Sequence, residues 1–102
     1  MINENMILKA ICEVYKIESV HSDTREYAEP RQLAMWLFRN KLKWTLQTIA
    51  TYFDRDHSTV IYSCNCIDAY IKFDHVFKKK YERIMLMLHP NFNHDIISDI
   101  EL

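Results

Sequence analysis

The segment from residue 52 to residue 64 concentrates polar side chains at one point of an otherwise apolar pattern. Three charged residues at positions 54–56 are followed directly by His57, Ser58 and Thr59. A turn between two helices needs only a residue that ends the first helix and a cap for the second. The polar residues exceed that need. At the leading end of a helix, such side chains can donate hydrogen bonds to a ligand or accept them from it.

Two helical patterns flank this point. Apolar residues at i, i+3, i+4 and i+7 predict a short helix over about residues 45–53, with Thr45 as its N-cap. A second apolar stripe starting at Val60 predicts a helix over 57–72, which the carboxylate of Asp56 would cap by accepting a backbone N–H. Two helices of this length joined by a short turn match a helix-turn-helix, whose second helix enters the major groove of DNA with its N-terminal residues.

The rest of the chain predicts three more helices. The first covers about residues 4–16. The second begins at Glu29-Pro30, because proline suits the first helical position. The last begins at Asp74, which would cap it, and ends at His89-Pro90. The stretch before Glu29 has no clean periodicity and predicts a loop. We therefore expect an all-α fold, a compact bundle of about five helices, with residues 1–90 as one domain and residues 91–102 as a frayed C-terminal tail.

Composition limits the functions that this sequence can have. The 102 residues include no glycine, so neither the GxxxxGK[ST] phosphate-binding loop nor the GxGxxG dinucleotide fingerprint can be present. No nucleophile context or carboxylate pair is evident, and we expect no enzyme activity, no bound nucleotide and no cofactor or metal. No apolar run reaches the roughly 18 residues of a membrane span, and no signal peptide is recognisable. Three cysteines, an odd number, favour reduced thiols in a cytoplasmic protein.

Charge is distributed unevenly along the chain. The formal net charge is -1, which is unusual for a protein that binds nucleic acid. Residues 31–61, however, hold five basic residues and two acidic ones, whereas residues 1–30 hold three basic and six acidic. The only electropositive third of the sequence therefore contains the helix-turn-helix pattern.

Two stretches then resemble a known family. AEPRQLAMWLFR at 28–39 and RDHSTV at 55–60 resemble the C-terminal DNA-binding domain (domain IV) of the bacterial replication initiator DnaA. That family has A-x-P-R-Q-x-A-M-x-L at the start of one helix and G-G-R-D-H-[ST]-T-V at the start of the recognition helix. Its intervening S-L-x-x-I corresponds here to residues 45–49, and the similarity covers about residues 6–88. The resemblance implies a Trp-repressor-like helix-turn-helix, here as a stand-alone domain, that binds double-stranded DNA sequence-specifically in replication initiation or its regulation.

The resemblance also implies roles for individual residues. The residues expected to contact base edges are Asp56, His57, Ser58 and Thr59. The residues expected to contact phosphates are Arg25, Arg31, Gln32, Arg39, Thr45, Leu46 and Arg55. The chemistry agrees, because a carboxylate accepts from the cytosine amino group, hydroxyl groups serve as donor or acceptor, and a methyl group or ring can contact the thymine methyl.

The sequence also departs from the family in ways that remove positive charge. The two glycines before the arginine are replaced by the single residue Asp54, and only Arg25 remains of the basic run that reaches the minor groove. Asn65 and Cys66 stand where the family has paired basic residues, and the ATPase domain that precedes the family's module is not found in this sequence. An alternative therefore stays open: a DnaA-like fold repurposed as a protein-interaction module, with weak or no DNA binding. The intact RDHSTV favours DNA, and the net charge of -1 favours the alternative.

Overall fold

The computed structural model describes residues 1–22 and 24–90, and these residues form five α-helices. The helices are α1 (Glu4–Tyr15), α2 (Ala28–Asn40), α3 (Leu46–Phe53), α4 (His57–Phe73) and α5 (His75–Leu88), with a short 3-10 helix at Arg25–Tyr27 before α2. The predicted all-α, five-helix fold is therefore confirmed. The predicted frayed tail at 91–102 lies outside the described residues.

Polar caps set the beginning of three helices. The side chain of Asn3 accepts from the N–H of Met6 at the start of α1, and Asp74 accepts from the N–H of Phe77 at the start of α5. Thr45 does the same for α3. Each cap pairs one of the backbone donors that a helix leaves unpaired in its first turn, which explains why the helices begin where they do.

The second helix begins earlier than its proline predicts. Pro30 is the third residue of α2, because the 3-10 helix Arg25–Tyr27 runs directly into Ala28. Proline is tolerated there because the N–H groups of the first turn have no partner within the helix. The prediction that the residues before Glu29 form only a loop is wrong at Arg25–Tyr27, because these residues form the 3-10 helix.

The core is built around α2. Its residues Leu33, Ala34, Leu37 and Phe38 are fully buried, and the helix packs most extensively against α4, with α1 and α3 on its other sides. On the far side of the bundle, α1 packs against α5. Burying a large apolar side chain contributes about 1.5–3 kcal/mol, so this central helix fixes the positions of its neighbours.

Aromatic side chains anchor α3 to the core. The ring of Phe38 lies 4.8 Å from that of Trp44, 5.3 Å from that of Tyr52 and 5.6 Å from that of Phe53. Trp36 contacts Tyr81 edge-on at 5.8 Å. The rings around Phe38 hold α3 against α2, whereas the contact between Trp36 and Tyr81 joins α2 to α5.

Candidate functional site

The turn between α3 and α4 is closed without glycine. Asp54 ends α3 in the left-handed region, at φ 54° and ψ 54°. The N–H of Arg55 reaches back 2.9 Å to the carbonyl oxygen of Ala50. Glycine is the usual residue at such a C-cap, but aspartate tolerates the left-handed region better than most residues. The chain therefore turns between the two helices within residues 54–56.

Arg55 braces the same turn with its side chain. Its Nη1 donates to the carbonyl oxygens of Phe53 at 3.1 Å and Asp54 at 3.2 Å, and the residue is half-buried. A guanidinium held by backbone carbonyls has a fixed position at the entrance to α4. The side chain thus stabilises the turn, whatever else it contacts.

The residues Asp56, His57, Ser58 and Thr59 form the leading turn of α4. Asp56, His57 and Ser58 are exposed and Thr59 is half-buried, whereas the next residue, Val60, is fully buried. Burial of Val60 anchors the helix and leaves the polar residues before it on the outside. The structure therefore brings the four predicted base-contacting residues together at one exposed helix end.

Asp56 occupies the N-cap position of α4 but does not cap with its side chain. Its backbone is extended, at φ −76° and ψ 157°, and its own carbonyl oxygen accepts from the N–H groups of Thr59 and Val60. Its carboxylate accepts no hydrogen bond from the helix. The predicted side-chain cap is therefore wrong. The exposed carboxylate is therefore not bonded to its own helix backbone.

His57 is joined to α3 by a hydrogen bond that spans the helix-turn-helix. Its Nε2 lies 2.6 Å from Oε1 of Gln47, and Nε2 of Gln47 donates to Oγ1 of Thr51 at 3.0 Å. All three residues are exposed. No sequence pattern indicated Gln47, because ten residues and a turn separate it from His57 and the two meet only in the folded protein.

The start of α3 carries the predicted phosphate contacts Thr45 and Leu46. Oγ1 of Thr45 accepts from the N–H of Thr48 at 3.1 Å and lies 2.8 Å from the hydroxyl of Thr48, which confirms the predicted N-cap. Thr45 is exposed, and Leu46 is half-buried against the core. The positive end of the α3 dipole thus reaches the surface beside Gln47.

Three cations gather just before α3. Nη1 of Arg39 donates to the carbonyl oxygen of Trp44 at 2.9 Å, which brings the guanidinium next to Thr45. Lys41 and Lys43 lie in the same connection, and burial together with the charge of Lys43 lowers the pKa of Lys41. We call Arg39, Lys41 and Lys43 the cation cluster. The like charges of Lys41 and Lys43 repel each other, and a nearby anion would reduce that repulsion.

The remaining predicted phosphate contacts lie at the N-terminal end of α2. Nη1 of Arg31 donates to the carbonyl oxygen of Ser22, which ties the preceding loop to the helix. Arg31 and Gln32 are half-buried, and Arg25 is exposed on the 3-10 helix. This set is therefore separate along the fold from the cation cluster at the other end of α2.

The loop before the 3-10 helix also contacts α3. The ring of His21 lies 5.6 Å from that of Tyr52 and 5.5 Å from that of Phe53. These contacts place the loop beside the last turn of α3. The segment that carries Arg25 is therefore connected to the helix-turn-helix rather than independent of it.

The cysteines belong to the packing of the bundle. Cys12, Cys64 and Cys66 are free thiols and half-buried, and burial raises the pKa values of Cys12 and Cys64.

Across residues 1–22 and 24–90, no three side chains of histidine, cysteine, aspartate or glutamate are grouped so that they could hold a metal ion. In the same part of the chain, no helix has the length and apolar character to cross a membrane.

Comparison with known proteins matches this arrangement to one family. The family model for the bacterial DnaA protein helix-turn-helix matches residues 5–67. The chain is 43% identical over 72 residues to the chromosomal replication initiator protein DnaA 1 of Chlamydia trachomatis, an alignment that covers 67% of this chain and 16% of that protein. It is 40% identical over 77 residues to DnaA 2 of Protochlamydia amoebophila, covering 72% of this chain and 17% of the relative.

A third relative extends the match. The chain is 37% identical over 83 residues to the chromosomal replication initiator protein DnaA of Chlorobaculum tepidum, which covers 76% of this chain and 17% of that protein. The chain thus spans about a sixth of the length of these relatives. The region that the family model matches includes all of α3, the turn after it and residues 57–67 of α4.

Proposed function

The chain belongs to the bacterial DnaA helix-turn-helix family, a DNA-binding family, and from this premise we propose that it binds a specific sequence of double-stranded DNA. The proposal extends to a role in replication initiation or its regulation, because the relatives are chromosomal replication initiators. The observation that carries it is the exposed leading turn of α4, which is held against α3 by the hydrogen bond between His57 and Gln47.

Base recognition is assigned to the leading turn of α4. In a helix-turn-helix, the N-terminal residues of the second helix contact base edges in the major groove. The carboxylate of Asp56 is exposed and not used as a cap, so it can accept from a cytosine or adenine amino group. Ser58 and Thr59 add hydroxyl groups that serve as donor or acceptor, and the methyl group of Thr59 can contact a thymine methyl.

Phosphate contacts are assigned to the two ends of α2 and to the start of α3. Arg39 and Thr45 lie beside each other through the bond from Arg39 to the carbonyl oxygen of Trp44. A helix N-terminus adjacent to cations attracts phosphate, because unpaired backbone N–H groups and positive charge both face the anion. Arg25, Arg31 and Gln32 supply the corresponding contacts at the opposite end of α2, and Arg55 at the turn.

Salt dependence of DNA binding tests the proposal. Titration of a duplex selected from a random pool, at several salt concentrations, is expected to give a slope of log K against log salt of about −3.5 to −5.5, from roughly four to six phosphate contacts at ~0.9 each. A scrambled duplex of the same length is the control for specificity. Absence of binding at low salt, or a slope near zero, would contradict the proposal.

A second candidate function is a protein-interaction module. Apolar side chains are exposed along α4, with Ile61 at 45%, Tyr62 at 65% and Phe73 at 81% of their full accessible areas. Exposed apolar side chains along one helix are typical of a docking surface. The acidic residues Asp54 and Asp56 near the turn also repel DNA phosphate. This candidate predicts weak or no duplex binding at low salt, which the same titration measures.

A further inference from the structure

We propose that Gln47 is a positioning residue for DNA recognition, which orients His57 so that its Nδ1 accepts a hydrogen bond from the exocyclic amino group of an adenine or a cytosine. This inference rests on the proposed function, since it names the residue that prepares one of the base contacts. Gln47 lies on α3, outside the leading turn of α4.

The hydrogen bonds of Gln47 determine which atom of His57 carries the proton. The amide of Gln47 donates from Nε2 to Oγ1 of Thr51, so its Oε1 is the atom that faces His57. A carbonyl oxygen only accepts, and the bond of 2.6 Å therefore requires a proton on Nε2 of His57. A neutral imidazole with its proton on Nε2 has an unprotonated Nδ1, which is an acceptor.

The same bond fixes the direction of the ring. His57 is the first residue of α4 and is exposed, so its side chain would otherwise sample several rotamers. Within the described residues 1–22 and 24–90, no hydrogen bond to Nδ1 is found, whereas Nε2 is bonded to Gln47. Nδ1 is thus the ring atom left for a ligand. Preorganisation of this kind lowers the entropy cost of binding.

An acceptor in the major groove selects among bases. Adenine presents its N6 amino group and cytosine its N4 amino group, whereas guanine and thymine present the acceptors O6 and O4. A neutral His57 held by Gln47 therefore favours adenine or cytosine at the position it faces. Thr51 contributes indirectly, because its hydroxyl holds the amide of Gln47 in the orientation that presents Oε1.

Replacement of single bases by analogues without the amino group tests the contact. In the selected duplex, each adenine is replaced in turn by purine and each cytosine by 2-pyrimidinone. We expect the wild-type protein to lose about fivefold or more in affinity at the position that faces His57, the size of one base contact, apart from any loss at the base that faces Asp56. His57→Ala and Gln47→Leu are expected to bind the unmodified duplex more weakly and to lose no more than about twofold further at that position.

A measurement on the free protein separates positioning from a general structural role. Nitrogen NMR of the His57 ring, in its neutral form, is expected to show a protonated Nε2 with slowed N–H exchange and an unprotonated Nδ1. Gln47→Leu should lose the slowed exchange, and Thr51→Val should weaken it. Leucine is a strong helix former and position 47 is exposed, so α3 should remain folded, which circular dichroism of the variant checks.

The binding measurements distinguish failure of the role of Gln47, failure of the amino-group contact and failure of the proposed function. If Gln47→Leu keeps the wild-type sensitivity to the analogue, or if the position at which Gln47→Leu loses sensitivity differs from the position at which His57→Ala loses it, Gln47 does not position His57 and the inference is overturned. If no analogue affects the wild-type protein although it binds the selected duplex specifically, the amino-group contact is wrong while the proposed function stands. If no duplex is bound at low salt, the proposed function itself fails.

Discussion

At the scale of single residues, the exposed leading turn of α4 is followed directly by a buried residue. Val60 is buried and fixes the helix, while His57 and Ser58 are exposed. A side chain with no core contact can be exchanged for alanine at little cost in folding. Substitutions here therefore measure recognition rather than stability.

Truncation of the base-contacting side chains should lower specificity. We expect His57→Ala and Thr59→Ala each to cost about 1–3 kcal/mol of binding on the selected duplex and to change binding to a scrambled duplex little. Arg39→Ala is the matched comparison, because loss of a phosphate contact should weaken both duplexes alike and reduce the salt slope by about one. Equal losses on both duplexes for His57→Ala would show that the leading turn of α4 only positions the protein on the backbone.

Asp56 and Asp74 occupy equivalent cap positions and should respond differently to substitution. Asp74→Ala removes the bond from its carboxylate to the N–H of Phe77, and we expect it to lower the free energy of unfolding by about 1 kcal/mol. Asp56→Ala removes no such bond and should cost clearly less, because only the interaction with the helix dipole is lost. Urea unfolding of both variants measures the difference, and equal losses would contradict the observed geometry of Asp56.

At the scale of the elements, the notable feature is how a chain without glycine ends its helices. Lys16, Lys43 and Asp54 all have positive φ, at 57°, 60° and 54°. Lys16 ends α1 and Asp54 ends α3, positions where glycine is the common choice. The elements are therefore connected at some cost in backbone strain, which the packing of α1 and α3 on the core offsets.

Asp54 offers a direct test of that strain. We expect Asp54→Gly to raise the free energy of unfolding by up to about 0.5 kcal/mol, because the relief of strain slightly exceeds the entropy that glycine adds to the unfolded chain. Asp54→Ala should instead lower it by about 1 kcal/mol, since alanine gains nothing from local hydrogen bonding in the left-handed region. Chemical denaturation gives both values, with Lys16→Gly as the comparison at the end of α1. A stabilising Asp54→Ala would contradict the left-handed assignment.

At the scale of the whole molecule, the side chain of Tyr15 joins three helices through two contacts. The hydroxyl of Tyr15 on α1 donates to Oε2 of Glu29 on α2 at 2.6 Å, and Nζ of Lys80 on α5 lies 4.8 Å from the centre of the Tyr15 ring. Burial, and then the contact with Glu29, raise the pKa of Tyr15 well above its usual value of 10.0. Ionisation of this phenol is therefore unfavourable in the folded protein.

The raised pKa predicts a loss of stability at alkaline pH. Above pH about 10 the unfolded chain releases the phenolic proton while the folded protein retains it, so the stability that is fully present below that pH is lost progressively as pH rises. We expect Tyr15→Phe to lower the free energy of unfolding near pH 7 by about 1 kcal/mol and to reduce its fall between pH 9 and pH 11. Thermal unfolding across that range gives the comparison. Unchanged alkaline slopes in the two proteins would contradict the prediction.

The fold class, the five helices and the polar leading end of α4 could all be predicted from the amino-acid sequence. These properties depend on local chemistry: apolar residues at helical spacing, the caps Thr45 and Asp74, and the RDHSTV segment. Each of these signals lies within one or two helical turns of the chain, which is the range over which apolar periodicity and helix capping can be recognised. The family resemblance came from the same short segments.

The hydrogen-bond partners of the side chains at the site could not be predicted from the sequence, because they depend on how the helices pack. The bond between His57 and Gln47 joins two helices, and the carboxylate of Asp56 remains outside the cap although its type and position predict one. Arg31, Arg39 and Arg55 each donate to a backbone carbonyl, in addition to the phosphate contacts expected of them. A polar side chain with several possible partners bonds to a group that packing brings within about 3 Å of it. The order of residue types along the sequence does not show which groups come that close.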